Sequence, residues 1–237
     1  MKAPLLAVQF MTRLPLSAVK ADSDDFGRAI RWFPLAGVLV GAAVAGAAAI
    51  GALHDPLLGA LLGLVAWVAI TGALHLDGLG DIADAAGAAH ADRSRISQVL
   101  ADPRIGSFGV TAIALQLLAK LALLLLVVQN HAVWSLLLVP VLARIAPLAW
   151  TLALPPLHEG MGTLFRQGAS WVVFAFWLAV WGAIAAATFP LLLAVVLAIP
   201  VWALWLRSRI GGISGDGHGA GIELVETAAL LMLALAP

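Results

Sequence analysis

The sequence predicts an all-α fold, a polytopic integral membrane bundle of about six or seven transmembrane helices with a short interfacial helix at the N-terminus. Three observations carry that prediction. Of 237 residues, 62% are hydrophobic and only 11% charged, with a mean hydropathy of +1.03, well beyond what a water-soluble core requires. The apolar residues fall into runs close to the roughly 20 residues that cross a hydrocarbon layer of about 30 Å. The basic residues gather at alternate ends of those runs, as the positive-inside rule requires of a membrane protein.

Taken in order, the first segment is MKAPLLAVQFMTRLPL. Leu5, Leu6, Gln9, Phe10, Arg13 and Leu14 are spaced for a short helix lying at the membrane surface. No small-residue cleavage site follows a clean apolar core, so a cleaved signal peptide is not expected. Seven candidate spans follow, at about 33–53, 57–76, 109–128, 132–154, 170–187, 190–206 and 222–236. The stretch from Ser170 to Leu206 is too long for one crossing, and Thr188-Phe189-Pro190 supplies a break. The last candidate is short for a full crossing. One domain covers 1–237.

With the N-terminus inside, the inner segments carry Lys2, Arg13, Lys20, Arg28, Arg31, Arg93, Arg95, Arg104, Arg166, Arg207 and Arg209. The outer turns near His54, Asn130 and Thr188 carry no basic residue, and Asp55 is the only carboxylate placed outside. The polar inventory is therefore expected to face the cytoplasm, in a chamber formed by residues 77–108, 155–169 and 207–221 with the N-terminal segment. Because 13 basic residues balance 13 acidic ones, no nucleic acid partner is expected. The absence of cysteine excludes disulfides, thiolate metal sites and cysteine nucleophiles. Gly37 and Gly41 form a small-xxx-small pair that would let a neighbouring helix approach closely.

The chemistry concentrates in HLDGLGDIADA, residues 75 to 85. Asp77, Asp81 and Asp84 stand at i, i+4 and i+7, on one face of a helix. Three carboxylates so close repel unless a cation sits among them, and oxygen ligands select a hard ion, Mg²⁺ or Mn²⁺. A metal site on these three aspartates, taking a diphosphate at the membrane boundary, is the expectation. Gly78 and Gly80 leave room for a bulky polar group beside them. His75 lies off the aspartate face, which makes it a candidate base or phosphate donor and not a ligand of the same ion.

In ADPRIGSFG, residues 101 to 109, Arg104 is suited to gripping phosphate, while Asp102 either joins the metal site or pairs with Arg104. The stretch GGISGDGHGAGIELVE, residues 211 to 226, offers Ser214, Asp216, His218, Glu223 and Glu226 in a glycine-rich setting suited to phosphate, with Asp216 fit for a metal or a ribose hydroxyl. Lys120 and Arg144 fall inside predicted helices, where a cation costs about 2.5 to 3.5 kcal/mol. They are expected to face a cavity or partner, so they join Arg13, Arg104, Ser214 and Glu223 as substrate-binding candidates, with snorkelling as the alternative. The catalytic candidates are His75, Asp102, Arg104 and Asp216. His158 and Glu159 read as ordinary loop residues.

FMTRLP, FPLAG, HLDGLGDIADA, DPRIG and the final glycine-rich string resemble, in order and spacing, the cobalamin synthase family, adenosylcobinamide-GDP ribazoletransferase. The resemblance runs from about residue 5 to the C-terminus. It implies an integral enzyme of the bacterial or archaeal cytoplasmic membrane, with its active side facing the cytoplasm and with Mg²⁺ as cofactor. Its substrates would be adenosylcobinamide-GDP and α-ribazole or its 5′-phosphate, giving adenosylcobalamin or its 5′-phosphate and GMP. Membrane lipid is the expected surrounding, and an oligomer is left open. The chain departs from the family pattern at Ile82 and Ala85 and around Asp102, and no departure removes a carboxylate. The alternatives are another membrane transferase with aspartate-bound metal, of the CDP-alcohol phosphatidyltransferase or prenyltransferase type, or a cation transporter. The first expects an arginine after the D-x2-D-G-x2-A string that is absent here, the second a second aspartate-rich motif, and the third carboxylates at mid-membrane.

Overall fold

The computed structural model describes residues 2–91, 96–157 and 161–236. Arg93, Arg95, His158 and Glu159 of the sequence reading lie outside them. The described residues are almost entirely helical: α1 Lys2–Met11, α2 Ser23–Ala29, α3 Phe33–Ala52, α4 Pro56–Thr71, α5 Leu74–Ala91, α6 Ile96–Leu100, α7 Ser107–Gln129, α8 Leu138–Ala153, α9 Met161–Gly168, α10 Trp171–Thr188, α11 Ala198–Arg209 and α12 Gly215–Ala234. Short 3₁₀ segments lead into α8 and α11, over Val133–Leu137 and Pro190–Leu197.

Local chemistry places the helix starts. Asp55 accepts hydrogen bonds from the backbone N–H groups of Leu57 and Leu58, and Pro56 occupies the first helical position of α4. Ser170 caps α10 through Val172 N–H. Ser214 caps α12 through Gly217 N–H. Among the described residues, five stretches are long and apolar enough to cross a membrane, six when the bent pair α4 and α5 is taken as one span.

That bend corrects the reading of 57–76 as one helix. Gly72 adopts φ +61° and Ala73 φ +59°, ending α4, and α5 leaves at 84° to it. A left-handed residue terminates a helix because the next N–H groups turn back to its last carbonyls, here Gly72 N–H to Ala69 O and Ala73 N–H to Val68 O. The aspartates thus sit on a separate helix of 18 residues and not on the frayed end of a transmembrane one.

The last candidate span is corrected in the other direction. It begins at Gly215, so most of the supposed glycine-rich loop is helix. At its far end Asn130 Nδ2 donates to Ala234 O at 3.5 Å. Met232 and Leu233 border a cavity of about 380 Å³ with Asn130, Thr188 and Phe189. Helix α12 therefore runs from the aspartate helix to the turns at the opposite end of the bundle.

Close packing uses small residues, as between helices in lipid. A Cβ on Gly37 would meet Pro140 O at 2.6 Å, and one on Gly41 would meet Leu137 O at 2.8 Å, so this pair does seat α3 against α8 and the 3₁₀ segment that leads into it. Helices α1, α2 and α9 pack at one end of α3 through Phe10, Phe26, Phe33 and Phe165. The Phe10 and Phe33 rings stack at 5.7 Å, and Phe165 meets Phe10 edge-on at 5.3 Å.

Candidate active site

Helix α5 crosses the starts of α12 and α7, and glycines make both crossings possible. A Cβ on Gly78 would lie 2.9 Å from Asp216 Cα, and one on Gly219 would lie 3.3 Å from His75 Cα. Within the glycine-rich string Gly219 serves this helix-to-helix approach, and the string from Gly215 onward is helix. The crossing brings Asp216 beside Asp81, whose other charged neighbours are Asp77 and Asp84. Asp77 is exposed, while Asp81, Asp84 and Asp216 are half-buried.

Asp84 has a more specific setting. Its Oδ2 accepts from Gly106 N–H at 2.7 Å and its Oδ1 from Gly109 N–H at 2.9 Å. The carboxylate thereby closes the N-terminus of α7, where N–H groups lack helical partners. Next to it, Arg104 donates from Nε to Asp102 Oδ1 at 2.9 Å and from Nη2 to Oδ2 at 2.8 Å. Hydrogen bonds from the Arg104 side chain and then its backbone hold the Asp102 carboxyl down at about 2. Of the two roles open to Asp102, pairing with Arg104 is the one found. Asp84, Val99, Asp102, Arg104 and Ser107 border one open cavity of about 390 Å³.

Ser214 is committed as the cap of α12 and lies 3.4 Å from Asp216 Oδ2. Arg13 crosses the α4–α5 break: its backbone N–H donates to Ile70 O at 2.7 Å, and its side chain occupies the space that a Cβ on Gly72 would need. The exposed guanidinium forms no ion pair among the described residues.

His75 shares α5 with the aspartates but points the other way. It is buried, with Nδ1 at 3.4 Å from Arg144 Nη2. Arg144 pairs with Glu226 Oε1, and Lys120 lies 2.7 Å from Glu223 Oε2 and 2.5 Å from Glu226 Oε2. Gln116 donates to Glu223 Oε2 at 2.8 Å and to Thr227 Oγ1 at 2.8 Å. The Trp67 ring lies under the Lys120 ammonium at 4.4 Å. Two cations thus meet two carboxylates in the bundle interior, where an unpaired charge would be prohibitive.

Lys120 and Arg144 face inward and do not snorkel. The environment found for Lys120, Arg144 and Glu223 is this closed network, separate from the cavity beside Asp84. The expectation that all carboxylates except Asp55 lie at the inner loops is corrected by Glu223 and Glu226, both buried midway along α12. Glu226 is the member that the sequence reading passed over as a site residue. The signal for it was the need of two intramembrane cations for anionic partners.

Among the described residues, no three carboxylate or imidazole side chains converge closely enough to hold a metal ion alone. Carboxylates on α5 and α12 nevertheless face one another with hard oxygen donors. Mg²⁺ is ordinarily held by one or two carboxylates, with waters and substrate phosphate oxygens completing its shell. The residues fit an ion bound in that manner.

Residues 3–234 match a family model described as cobalamin-5-phosphate synthase. The chain is 53% identical over 239 residues to a protein of Novosphingobium aromaticivorans named adenosylcobinamide-GDP ribazoletransferase, covering 99% of this chain and 97% of the relative. A protein of the same name from Thiobacillus denitrificans is 49% identical, over 98% of this chain and 94% of its own. Another, from Laribacter hongkongensis, is 49% identical over 100% and 98%. No solved structure matches.

Proposed function

The chain belongs to the cobalamin-5-phosphate synthase family, and on that premise we propose that it joins adenosylcobinamide-GDP to α-ribazole or α-ribazole 5′-phosphate and releases GMP. It is a membrane enzyme of cobalamin synthesis, acting at the final step. The observation that carries the finer reading is the crossing of α5 and α12, which sets Asp216 against Asp81 with Asp77 and Asp84 alongside.

Asp77 and Asp81 would hold a hard cation that takes the diphosphate, with Asp216 facing Asp81 from α12. Mg²⁺, or Mn²⁺ in its place, would supply neutralisation of the charge that develops on the departing GMP. Arg13 and Arg104, both exposed beside the aspartate helix, are suited to phosphate oxygens, and with Nε and Nη2 of Arg104 donating to Asp102 its Nη1 is left for them. A ribose hydroxyl of the ribazole other than the 5′ position, which carries phosphate in the alternative substrate and keeps it in the product, attacks the phosphorus that bears cobinamide, the bond to the GMP oxygen breaks, and the hydroxyl proton passes to a base. Of the base candidates, His75 is turned to Arg144 and Asp102 is held by Arg104, leaving Asp216 nearest the cation face. Positioning and electrostatics would then supply most of the rate.

A transporter reading needs free carboxylates at depth. Glu223 and Glu226 are instead neutralised by Lys120 and Arg144. The active side is proposed to face the cytoplasm, because the basic residues gather at that end.

Purified protein incubated with adenosylcobinamide-GDP, α-ribazole and Mg²⁺ should release GMP and form the joined corrinoid. The same incubation with α-ribazole 5′-phosphate separates the two nucleophiles. Absence of GMP with both would overturn the reading.

A further inference from the structure

Asp84 has both of its oxygens engaged by the main chain of another helix. We propose that Asp84 is a positioning residue: its carboxylate latches the loop carrying Asp102 and Arg104, and the start of α7, to the aspartate helix, so that Arg104 is presented at the cation face. The proposal rests on the reading of Asp77 and Asp81 as cation ligands, and it removes Asp84 from that ligand set.

The geometry is specific. Gly106 N–H and Gly109 N–H, 22 and 25 residues away, donate to different oxygens of the one carboxylate. Both partners are glycines for a steric reason. A Cβ on Gly106 would come within 2.5 Å of Asp84 Oδ1, and a Cβ on Gly109 would collide with Asp84 Oδ2. Gly106 has φ −93° and ψ 179°, ordinary extended backbone open to any residue, so its conformation does not call for glycine. The space taken by Asp84 does.

The carboxylate also compensates the positive end of α7. A charged acceptor facing two backbone donors forms hydrogen bonds about twice as strong as neutral ones. Two residues before the first of those donors stands Arg104, whose side chain is 86% exposed and fixed by Asp102. The same loop and helix start also pack on α5 through Ile105 at Gly80 and Phe108 at Gly87, so the two hydrogen bonds to Asp84 are the polar part of that attachment. Asp84, Asp102 and Arg104 border the same cavity, so the latch sets the distance between the phosphate-gripping arginine and Asp77 and Asp81.

The test compares Asp84→Asn, Gly106→Ala and Asp77→Asn in the full-length, detergent-purified chain. Gly106→Ala retains every carboxylate yet drives a methyl group into the latch, so it probes the same contact without touching the acid. Three readouts are taken: Mn²⁺ binding by electron paramagnetic resonance, tryptic cleavage after Arg104 by mass spectrometry, and the KM and kcat of GMP release. A latch predicts that Asp84→Asn and Gly106→Ala bind Mn²⁺ within about threefold of the parent while cleavage after Arg104 accelerates at least about tenfold. KM for the GDP-activated substrate should rise about tenfold or more, with kcat changed less. Asp77→Asn should lose Mn²⁺ and keep Arg104 protected.

Loss of Mn²⁺ in Asp84→Asn equal to that in Asp77→Asn, with Arg104 still protected, would make Asp84 a ligand and overturn the latch. Unchanged cleavage in Gly106→Ala would overturn it as well. If Asp77→Asn retains Mn²⁺, the cation reading fails, while faster cleavage in the other two variants still supports the latch.

Discussion

Arg144 on α8 and Glu226 on α12, 82 positions apart, form an ion pair in which neither side chain reaches solvent. Glu226 also takes Lys120 from α7, so one carboxylate ties together three helices. Removing one partner of a buried pair strands the other charge, at a cost of about 3–5 kcal/mol. Glu226→Gln should therefore lower the unfolding free energy of the detergent-solubilised protein by about that amount. Arg144→Leu should do the same, since it leaves Glu226 with Lys120 alone. Unfolding curves that superimpose on the parent would show the network to be dispensable.

Gly37 offers a contrast within one helix. Its Cβ position is filled by the backbone of Pro140 and Val141, whereas Gly46 has nothing within 4 Å. Overpacking costs about 1–3 kcal/mol, while alanine in an open helical position gains roughly 0.5–1 kcal/mol over glycine. Gly37→Ala should lower the thermal midpoint and Gly46→Ala should leave it unchanged or raise it. The opposite order would remove the account of how α3 seats on α8.

The placement of charge predicts topology. Single cysteines at Arg207 and Asn130, in this cysteine-free chain, should label from opposite sides of a sealed vesicle. A cysteine at Ala236 should label together with Asn130, because α12 ends beside that turn. Labelling of Arg207 and Asn130 from one side would sink the arrangement.

Asp77→Asn and Asp81→Asn keep side-chain shape and remove charge. Both proteins should insert and fold as the parent does, yet release GMP at least about tenfold more slowly, a loss of about 1.4 kcal/mol of transition-state stabilisation. Raised Mg²⁺ or Mn²⁺ should restore part of the rate, and chelation with EDTA should abolish turnover of the parent. Near-parental rates for both variants at low Mg²⁺ would reduce the cluster to a wet helix face.

Apolar run length and the alternation of basic residues determine by themselves that this chain is a helical membrane protein, because crossing a hydrocarbon layer demands both a minimum length and internal backbone pairing. The spacing of Asp77, Asp81 and Asp84 places them on one helix face for an equally local reason. The glycine at position 72 is a readable stop signal inside the second run, but its neighbours are as apolar as the run itself, so hydropathy alone carries straight through it. Only the tertiary structure could turn α5 through 84° and lay it against α12. Partners distant in sequence were likewise decided there: Asp216 meets Asp81, Asp84 meets Gly106 and Gly109, and Glu226 meets Arg144 and Lys120. Each of these follows from which helix surfaces can approach closely, which depends on the small residues of two helices at once, and from the requirement that charges withdrawn from water find their counterparts wherever the packed bundle brings them.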